Sequence, residues 1–282
     1  MNLRDVTEPR TDMSRCLAGP IVHQGVPGSV KALIWEVFFA SRGRGIALSV
    51  HFPWMDDDQN VRSISIDLTE NRTTQTVAAL VLKPARFAGS MVGLLGLVCV
   101  AAEQRGRGLS SLLIEAAVEA GLQMDWRALV LWTQVPDLYA RYGFNLNGND
   151  VFAAIGGPAD QRGSKKFRTR PWPWHGDARG LPAFSSGATR IITDRASVIV
   201  LETTVGAAVA EWSGDDVEVA DLLHASLPDR WSLNAQADDT LIDELSRRGF
   251  LCTLRPSSSR MVRELSEHGG MTVPPIRILD RI

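Results

Sequence analysis

The stretch that decides the fold is Leu94-Leu95-Gly96-Leu97-Val98-Cys99-Val100, followed closely by Arg105-Gly106-Arg107-Gly108-Leu109-Ser110. The first segment lies in an uncharged run, 91–102, that is too short to span a bilayer and predicts a buried strand. Beyond the second segment, apolar residues recur at helical spacing. They predict an amphipathic helix whose apolar stripe consists of Leu109, Leu112, Leu113, Ala116, Ala117 and Ala120.

Gly106 and Gly108 lie between this strand and this helix. They remove two side chains where the first N–H groups of a helix have no intrahelical partner and the helix dipole is positive. Arg105 and Arg107 add full positive charges. The loop therefore predicts a site for a diphosphate. It is neither a Walker loop, which requires Lys-Ser or Lys-Thr after the glycines, nor a dinucleotide loop, because Ser111 replaces the third glycine.

A second motif follows at a fixed distance: Leu138-Tyr139-Ala140-Arg141-Tyr142-Gly143-Phe144. The loop resembles the Gln/Arg-x-x-Gly-x-Gly/Ala signature of the GNAT superfamily of N-acetyltransferases, and the second motif resembles the helix that follows in that family. Ser110 departs mildly from the pattern, which usually has Gly or Ala there. The resemblance covers roughly residues 20 to 150. It implies an α+β fold, with a mixed, mostly antiparallel sheet flanked by helices.

The short signature also occurs at a second place, Arg42-Gly43-Arg44-Gly45-Ile46-Ala47. This copy follows a helical pattern instead of a strand, and the segment after it is stopped by Pro53. Without a strand before and a helix after, its amides cannot converge on a phosphate. We predict that 42–47 is a turn between two helices.

The resemblance implies that acetyl-CoA is the co-substrate and that its pantetheine lies between splayed strands matching 94–100 and 127–133. The predicted contacts with the co-substrate are those of the strand end and the loop: Val98, Cys99, Val100, Arg105, Gly106, Arg107, Gly108, Leu109 and Ser110. Backbone N–H groups near Val100 can bind the thioester oxygen.

Tyr139 is the predicted catalytic residue. As a general acid, a phenol with a pKa of about 10 is close enough to a thiol near 8.5 to protonate the departing thiolate. We expect Tyr142 mainly to pack. The general base is left open, because 94–100 carries no carboxylate. Its candidates are Glu103, Asp67, Asp56, Asp57, Asp58 and a chain of water molecules.

The second half of the chain carries a weak echo of the first. Gly214 and Gly249 have the same separation as Gly108 and Gly143, with a predicted helix and strand between them. Two carboxylates in Ser213-Gly214-Asp215-Asp216 would repel a diphosphate, and Leu245 occupies the position of Tyr139. We predict a GNAT acetyltransferase domain at 1–155, a linker at 156–187 and a smaller, degenerate GNAT-like α/β domain at 188–282.

Composition excludes several function classes. A net charge of -2 gives no reason to expect a nucleic-acid partner. The three cysteines are far apart and the histidines show no helical pairing, so we expect no metal. The polar start of the chain predicts no signal peptide, and together with the cysteines it predicts a cytoplasmic protein without a membrane partner. A homodimer is left open.

Two functions follow from these patterns. The first is an N-acetyltransferase that moves an acetyl group from acetyl-CoA to a primary amine, on a small molecule or a protein, by direct attack in a ternary complex. The alternative is a non-catalytic acyl-CoA-binding or regulatory protein on the same fold. Tyr139 favours the enzyme, and the missing strand carboxylate favours the alternative.

Overall fold

A computed structural model describes residues 16–57, 59–70, 72–87, 89–148, 150–157, 166–173, 179–265 and 273–282. The strands are β1 (Cys16–Leu17), β2 (Ile21–Gln24), β3 (Arg62–Glu70), β4 (Thr73–Phe87), β5 (Ser90–Val100), β6 (Ala128–Thr133), β7 (Asn145–Leu146), β8 (Asp150–Gly156), β9 (Arg168–Pro171), β10 (Ser185–Ile192), β11 (Ala196–Thr203), β12 (Gly206–Gly214), β13 (Arg230–Gln236), β14 (Leu251–Pro256) and β15 (Ser259–Glu264). The α-helices are α1 (Gly28–Phe38), α2 (Leu48–His51), α3 (Leu109–Gln123), α4 (Pro136–Ala140), α5 (Asp216–Ser226) and α6 (Thr240–Arg247).

The first sheet has the order β1-β3-β4-β5-β6-β15-β7, with β2 also paired to β3. Strands β3, β4 and β5 are successive antiparallel neighbours, as short connections dictate. The next pair, β5 and β6, is parallel, because α3 carries the chain back across the sheet. The predicted mixed, mostly antiparallel sheet flanked by helices is confirmed.

Helices α1 and α3 cover one face of this sheet and complete its main core. The predicted stripe of α3 is partly wrong. Leu109, Leu113, Ala117 and Ala120 are buried, but Leu112 is 43% exposed. The buried face instead includes Ile114, because α3 is apolar around much of its circumference and periodicity alone does not fix which side meets the sheet.

The second sheet has the order β14-β8-β13-β12-β11-β10-β9. It repeats the first sheet's plan: β11 and β12 are antiparallel, and β12 continues through α5 into the parallel strand β13. Helices α5 and α6 pack on one face. The element order that the sequence echo predicted is therefore present, and the two sheets are consistent with two GNAT-like domains.

The two sheets exchange strands. The sequence predicts a strand of the first domain near 144–154, but this segment forms the short β7 and then β8, which pairs with β13 and β14 of the second sheet. In return, β15 from the second half pairs with β6 and β7 of the first sheet. The predicted boundary at 155 thus falls within β8, and the predicted linker, 156–187, contains β9 and the start of β10.

Residues 273–282 contact both sheets. Val273 and Ile276 pack on the first sheet's face away from α3, and Leu279 packs on the second sheet's face away from α5 and α6. Ile282 then returns to strand β5, where it lies against Gly96. Among the described residues, no helix is both long and apolar enough to cross a membrane.

Candidate active site

Strand β5 is irregular where the site is expected. Its register with β4 shifts between Ala79 and Val81, opposite a bulge that includes Leu97. Leu97 has a φ of 53°, in the left-handed region. For a residue with a side chain this conformation costs about 1–2 kcal/mol, and such strain is typical of functional sites. The bulge turns the backbone N–H groups of β5 out of the regular ladder.

Strands β5 and β6 diverge beside this bulge. Their parallel pairing runs only from Val92–Ala128 to Leu94–Val130. Beyond these pairs the facing backbone groups of the two strands are available to a ligand that enters the gap. The resemblance implied that strands matching 94–100 and 127–133 are splayed, and the pairing agrees with that expectation.

Helix α3 begins at the predicted loop. Its N-cap is Gly108, with a φ of 75°, and no side chain of the described residues caps the helix. Gly106 is also left-handed, with a φ of 78°. A Cβ at either glycine would meet nothing within 4 Å, so these glycines are required by backbone conformation and not by crowding. The first amides of α3 therefore face an open site with a positive dipole.

A cavity of about 370 Å³ lies at this helix start, and we call it the donor cavity. Of the nine predicted contact residues, eight line it: Val98, Cys99, Val100, Arg105, Gly106, Gly108, Leu109 and Ser110. Arg107 does not line it, but its guanidinium donates to the side-chain oxygen of Gln104, which does.

Four residues that line the donor cavity were not predicted from the sequence: Val37, Phe38, Arg42 and Gln104. Phe38, from the end of α1, forms an apolar wall. Arg42, in the second copy of the loop signature, adds a further guanidinium. The prediction that 42–47 is a turn between helices is confirmed, since it joins α1 and the short helix at 40–42 to α2. The sequence feature that could have predicted this contribution is Arg42 itself, a cation at the start of that turn.

Cys99 contributes only its backbone to the site. Its thiol is buried and donates to the carbonyl oxygen of Ala79. Burial raises the pKa of the Cys99 thiol to about 12. The thiol therefore stays protonated near neutral pH and is not a nucleophile.

The chain's two tyrosines differ in their hydroxyl partners. Tyr142 donates its hydroxyl to the Ser111 hydroxyl oxygen at 2.5 Å. Tyr139, on α4, is half-buried with its ring edge against Phe144, and its hydroxyl has no hydrogen-bond partner among the residues that the structure describes. Burial raises the pKa of Tyr139 above its usual value. Tyr139 is not among the residues lining the donor cavity.

The candidate bases are mostly engaged elsewhere. Asp56 pairs with Lys31 at 2.6 Å, and Asp57 accepts from Asn60, which lowers its pKa. Asp67 accepts from the Thr76 hydroxyl at 2.8 Å. Glu103 is exposed in the short helix before the loop, and Asp58 lies outside the described residues. These contacts do not identify any of the candidates as the general base, which therefore stays unassigned.

The start of α5, which corresponds to the start of α3, differs in the second half. Asp215 caps α5, its carboxylate accepting from the N–H of Val217 at 2.9 Å. A Cβ on Gly214 would lie 2.5 Å from the carbonyl oxygen of Arg195, so the loop is packed against backbone. The helix start is thus closed by a carboxylate where α3 is open. This agrees with the prediction that the second half does not bind CoA in the same way.

No cluster of three or more His, Cys, Asp or Glu side chains suited to a metal ion occurs within the described ranges.

The sequence and the fold were compared with known proteins. Residues 30–144 match the model of the Acetyltransferase (GNAT) family. No curated protein matches the chain in sequence.

Solved structures with a similar fold are low in sequence identity. A GCN5-related N-acetyltransferase from Anabaena variabilis is 14% identical, with a TM-score of 0.58 over 88% of this chain and 73% of that one. One from Kribbella flavida is 16% identical, with a TM-score of 0.56 over 89% and 71%. A tandem GNAT protein from the clavulanic acid biosynthesis pathway is 13% identical, with a TM-score of 0.51 over 91% and 100%. At these identities the structures show the fold.

The family match spans the bulged strand, the open helix start and Tyr139, and with the fold it supports an acyltransferase activity. Residues 30–144 are therefore a domain of the acetyltransferase (GNAT) family.

Proposed function

We propose that the protein transfers an acetyl group from acetyl-CoA to an amine by direct attack in a ternary complex. One observation carries the proposal: the Leu97 bulge and the β5–β6 divergence lie immediately before the open N-terminus of α3. A gap suited to the thioester and a helix start suited to the diphosphate thus follow one another on one continuous segment, in the order that the parts of CoA require.

The donor cavity supports binding of the diphosphate. The amides at the start of α3 and the side chain of Arg105 supply donors, and Arg42 adds positive charge from the opposite wall. In the gap, backbone groups of β5 near Val98 can bind the pantetheine and stabilise the oxyanion of the tetrahedral intermediate.

The proton balance can be written without naming a base. The neutral amine nitrogen forms a bond to the thioester carbon, and the carbonyl oxygen becomes an oxyanion. When the intermediate collapses, the carbon–sulfur bond breaks, and Tyr139 gives its proton to the departing thiolate. The phenolate then recovers a proton from the acylated nitrogen, directly or through water. The products are an amide and free CoA.

Burial of Tyr139 bears on this role. Because burial raises its pKa above the usual value of 10.0, Tyr139 is a phenol near neutral pH and has a proton to give. The same shift makes the phenolate less stable, so the proton must be regained quickly. The hydroxyl of Tyr142 donates to Ser111, whereas that of Tyr139 has no partner within the described part of the chain, which also supports Tyr139 as the acid.

The cytoplasm remains the proposed compartment, since the free cysteines suit a reducing environment.

The test is incubation with acetyl-CoA and a panel of primary amines while free thiol and acetylated amine are followed. We expect thiol release that depends on the amine and matches the amide formed. If acetyl-CoA binds in calorimetry but thiol release stays at the hydrolysis rate with every amine, the non-catalytic alternative replaces the proposal.

A further inference from the structure

A second cavity, of about 640 Å³, lies between the two sheets, and we call it the interface cavity. Trp132 and Gln134, at the end of β6, contribute to it from the first half. Phe152 and Ala154 of β8 contribute from the second sheet, on the face opposite to α5 and α6. The cavity therefore lies where the face of the second sheet opposite to α5 and α6 meets the end of β6 that diverges from β5.

The interface cavity reaches the strand that is expected to bind the thioester. Ile282 lines it and also lies against Gly96, one residue before Leu97. A Cβ on Gly96 would come within 2.3 Å of Ile282 Cγ1, so only glycine fits there. The donor cavity contacts β5 at residues 98–100, and the interface cavity contacts its neighbourhood through Ile282. The two cavities thus approach the same part of β5.

The walls of the interface cavity are rigid and aromatic. The indole N–H of Trp132 donates to the Asp150 carboxylate at 2.9 Å, which fixes the ring. The guanidinium of Arg281 lies over that ring, 4.9 Å from its centroid. Phe184 also lines the cavity and is 40% exposed, and Val205 is 94% exposed. Apolar side chains exposed around a concave site are typical of a ligand pocket.

Two arginines, Arg255 and Arg281, line the interface cavity. Arg281 is neutralised, because it pairs with the buried Asp150 carboxylate at 3.4 Å and donates to the carbonyl oxygen of Ile276 at 3.0 Å. Arg255 is exposed on β14 and has no carboxylate partner among the described residues. No Asp or Glu side chain is among the described lining residues. A ligand here meets the exposed guanidinium of Arg255, whose planar donors fit a carboxylate.

We infer that the interface cavity is the acceptor site and that the acceptor is a small amine with an apolar or aromatic body and an anionic group, which Arg255 binds. This inference rests on the proposed function and adds a substrate class to it. A diamine or polyamine would place a second positive charge beside Arg255, where no Asp or Glu side chain of the described lining offsets it, and the cavity would disfavour it. The second half then supplies the acceptor wall while the first half holds the donor.

The test uses three amines that share one body: para-(aminomethyl)benzoate, benzylamine and para-xylylenediamine. Their binding to the full chain in the presence of CoA is measured by calorimetry, independently of turnover. We expect the benzoate to bind about tenfold more tightly than benzylamine, as one charge-assisted hydrogen bond gives, and the diamine to bind most weakly.

Two variants locate the effect. Arg255→Gln should weaken binding of the benzoate about tenfold and leave benzylamine within about twofold. Arg195→Gln, at an exposed arginine away from the interface cavity, should change neither. Equal or reversed ranking of the three amines, no saturable binding of any, or equal weakening of all three in Arg255→Gln would overturn the inference.

Turnover separates this inference from the proposed function. If the amines bind in the expected order but acetyl-CoA is not consumed with any of them, the acceptor site stands and acetyl transfer is refuted for this class. If acetyl transfer proceeds with no preference for the anionic amine, the enzyme stands and the inference is wrong.

Discussion

The hydroxyl of Tyr142 donates to the hydroxyl oxygen of Ser111 at 2.5 Å, which ties the segment after α4 to the first turns of α3. The hydroxyl of Tyr139 has no such partner among the described residues. Two phenols three positions apart therefore have different surroundings, and the difference suggests separate roles that substitution can test.

Removal of each hydroxyl should give a different result. Tyr139→Phe should lower kcat by about 10²–10⁴-fold, the usual contribution of a general acid, with little change in affinity for CoA. Tyr142→Phe should lower stability by about 1 kcal/mol, through loss of one hydrogen bond, and change kcat little. Steady-state kinetics and denaturant unfolding of both variants provide the measurement. An unchanged kcat in Tyr139→Phe would remove Tyr139 from the mechanism.

Because the chain has only two tyrosines, Tyr142→Phe leaves Tyr139 as the only phenol. Its titration, followed by tyrosinate absorbance, should have a midpoint above the ordinary value of 10.0, since burial disfavours the phenolate. The raised pKa also makes the folded state the better proton binder. The stability it contributes is therefore complete below the unfolded pKa and is lost as the pH rises through the folded pKa. A midpoint at or below 10.0 in folded protein would contradict this.

The open start of α3 can be converted toward the closed form seen at α5. Ser110→Glu places a carboxylate in the donor cavity and should lower CoA affinity at least about tenfold, by replacing favourable with repulsive charge interactions. Ser110→Ala, the residue more usual at this place in the resembled signature, should keep the affinity within about twofold. Calorimetric titration with CoA distinguishes them. Equal affinities would show that the diphosphate lies elsewhere.

Arg42 should take part in binding the donor although its loop was predicted only as a turn. Arg42→Gln removes a guanidinium from the donor cavity and should weaken CoA binding by about three- to tenfold, and the loss should shrink as salt is raised. Arg86→Gln, at an exposed arginine of the β4–β5 hairpin, is the matched control. A salt-independent loss would indicate altered packing instead of a lost charge interaction.

Asp150 holds the junction of the two sheets. Its buried carboxylate accepts from Trp132 and Gln236 and pairs with Arg281. Asp150→Asn leaves the buried guanidinium without its counter-charge and should destabilise the protein by about 3 kcal/mol. Asp125→Asn, at an exposed carboxylate, should change stability by less than about 0.5 kcal/mol. Denaturant unfolding measures both, and similar losses would show that the junction contributes little.

The sequence predicts where helices and strands lie along the chain better than it predicts which of them pair or pack together. Strand β5, the loop at Gly106 and Gly108, and helix α3 follow from periodicity and glycine placement, which are local properties. The face of α3 was partly wrong at Leu112, because small and apolar residues surround much of that helix. Periodicity of two identifies β8 as a strand but carries no information about which sheet receives it.

In the candidate site, too, residues close together in the sequence were predicted and residues from distant segments were not. Eight of the nine predicted donor contacts line the donor cavity, since the loop that carries them is contiguous. Arg42 and Arg255 come from distant segments whose approach depends on tertiary packing. The interface cavity could not be predicted, because it forms only when β8 and residues 273–282 cross between the halves.

The exchange of β8 and β15 affects when the first half can finish folding during synthesis. The family domain at 30–144 cannot complete its sheet until residues 259–264 have left the ribosome, because β15 lies between β6 and β7. Until β15 has been synthesised, the edge of β6 in the nascent first half therefore stays unpaired. Deletion of the second half would remove β15 from the first sheet, so the first half depends on the second to complete its own fold.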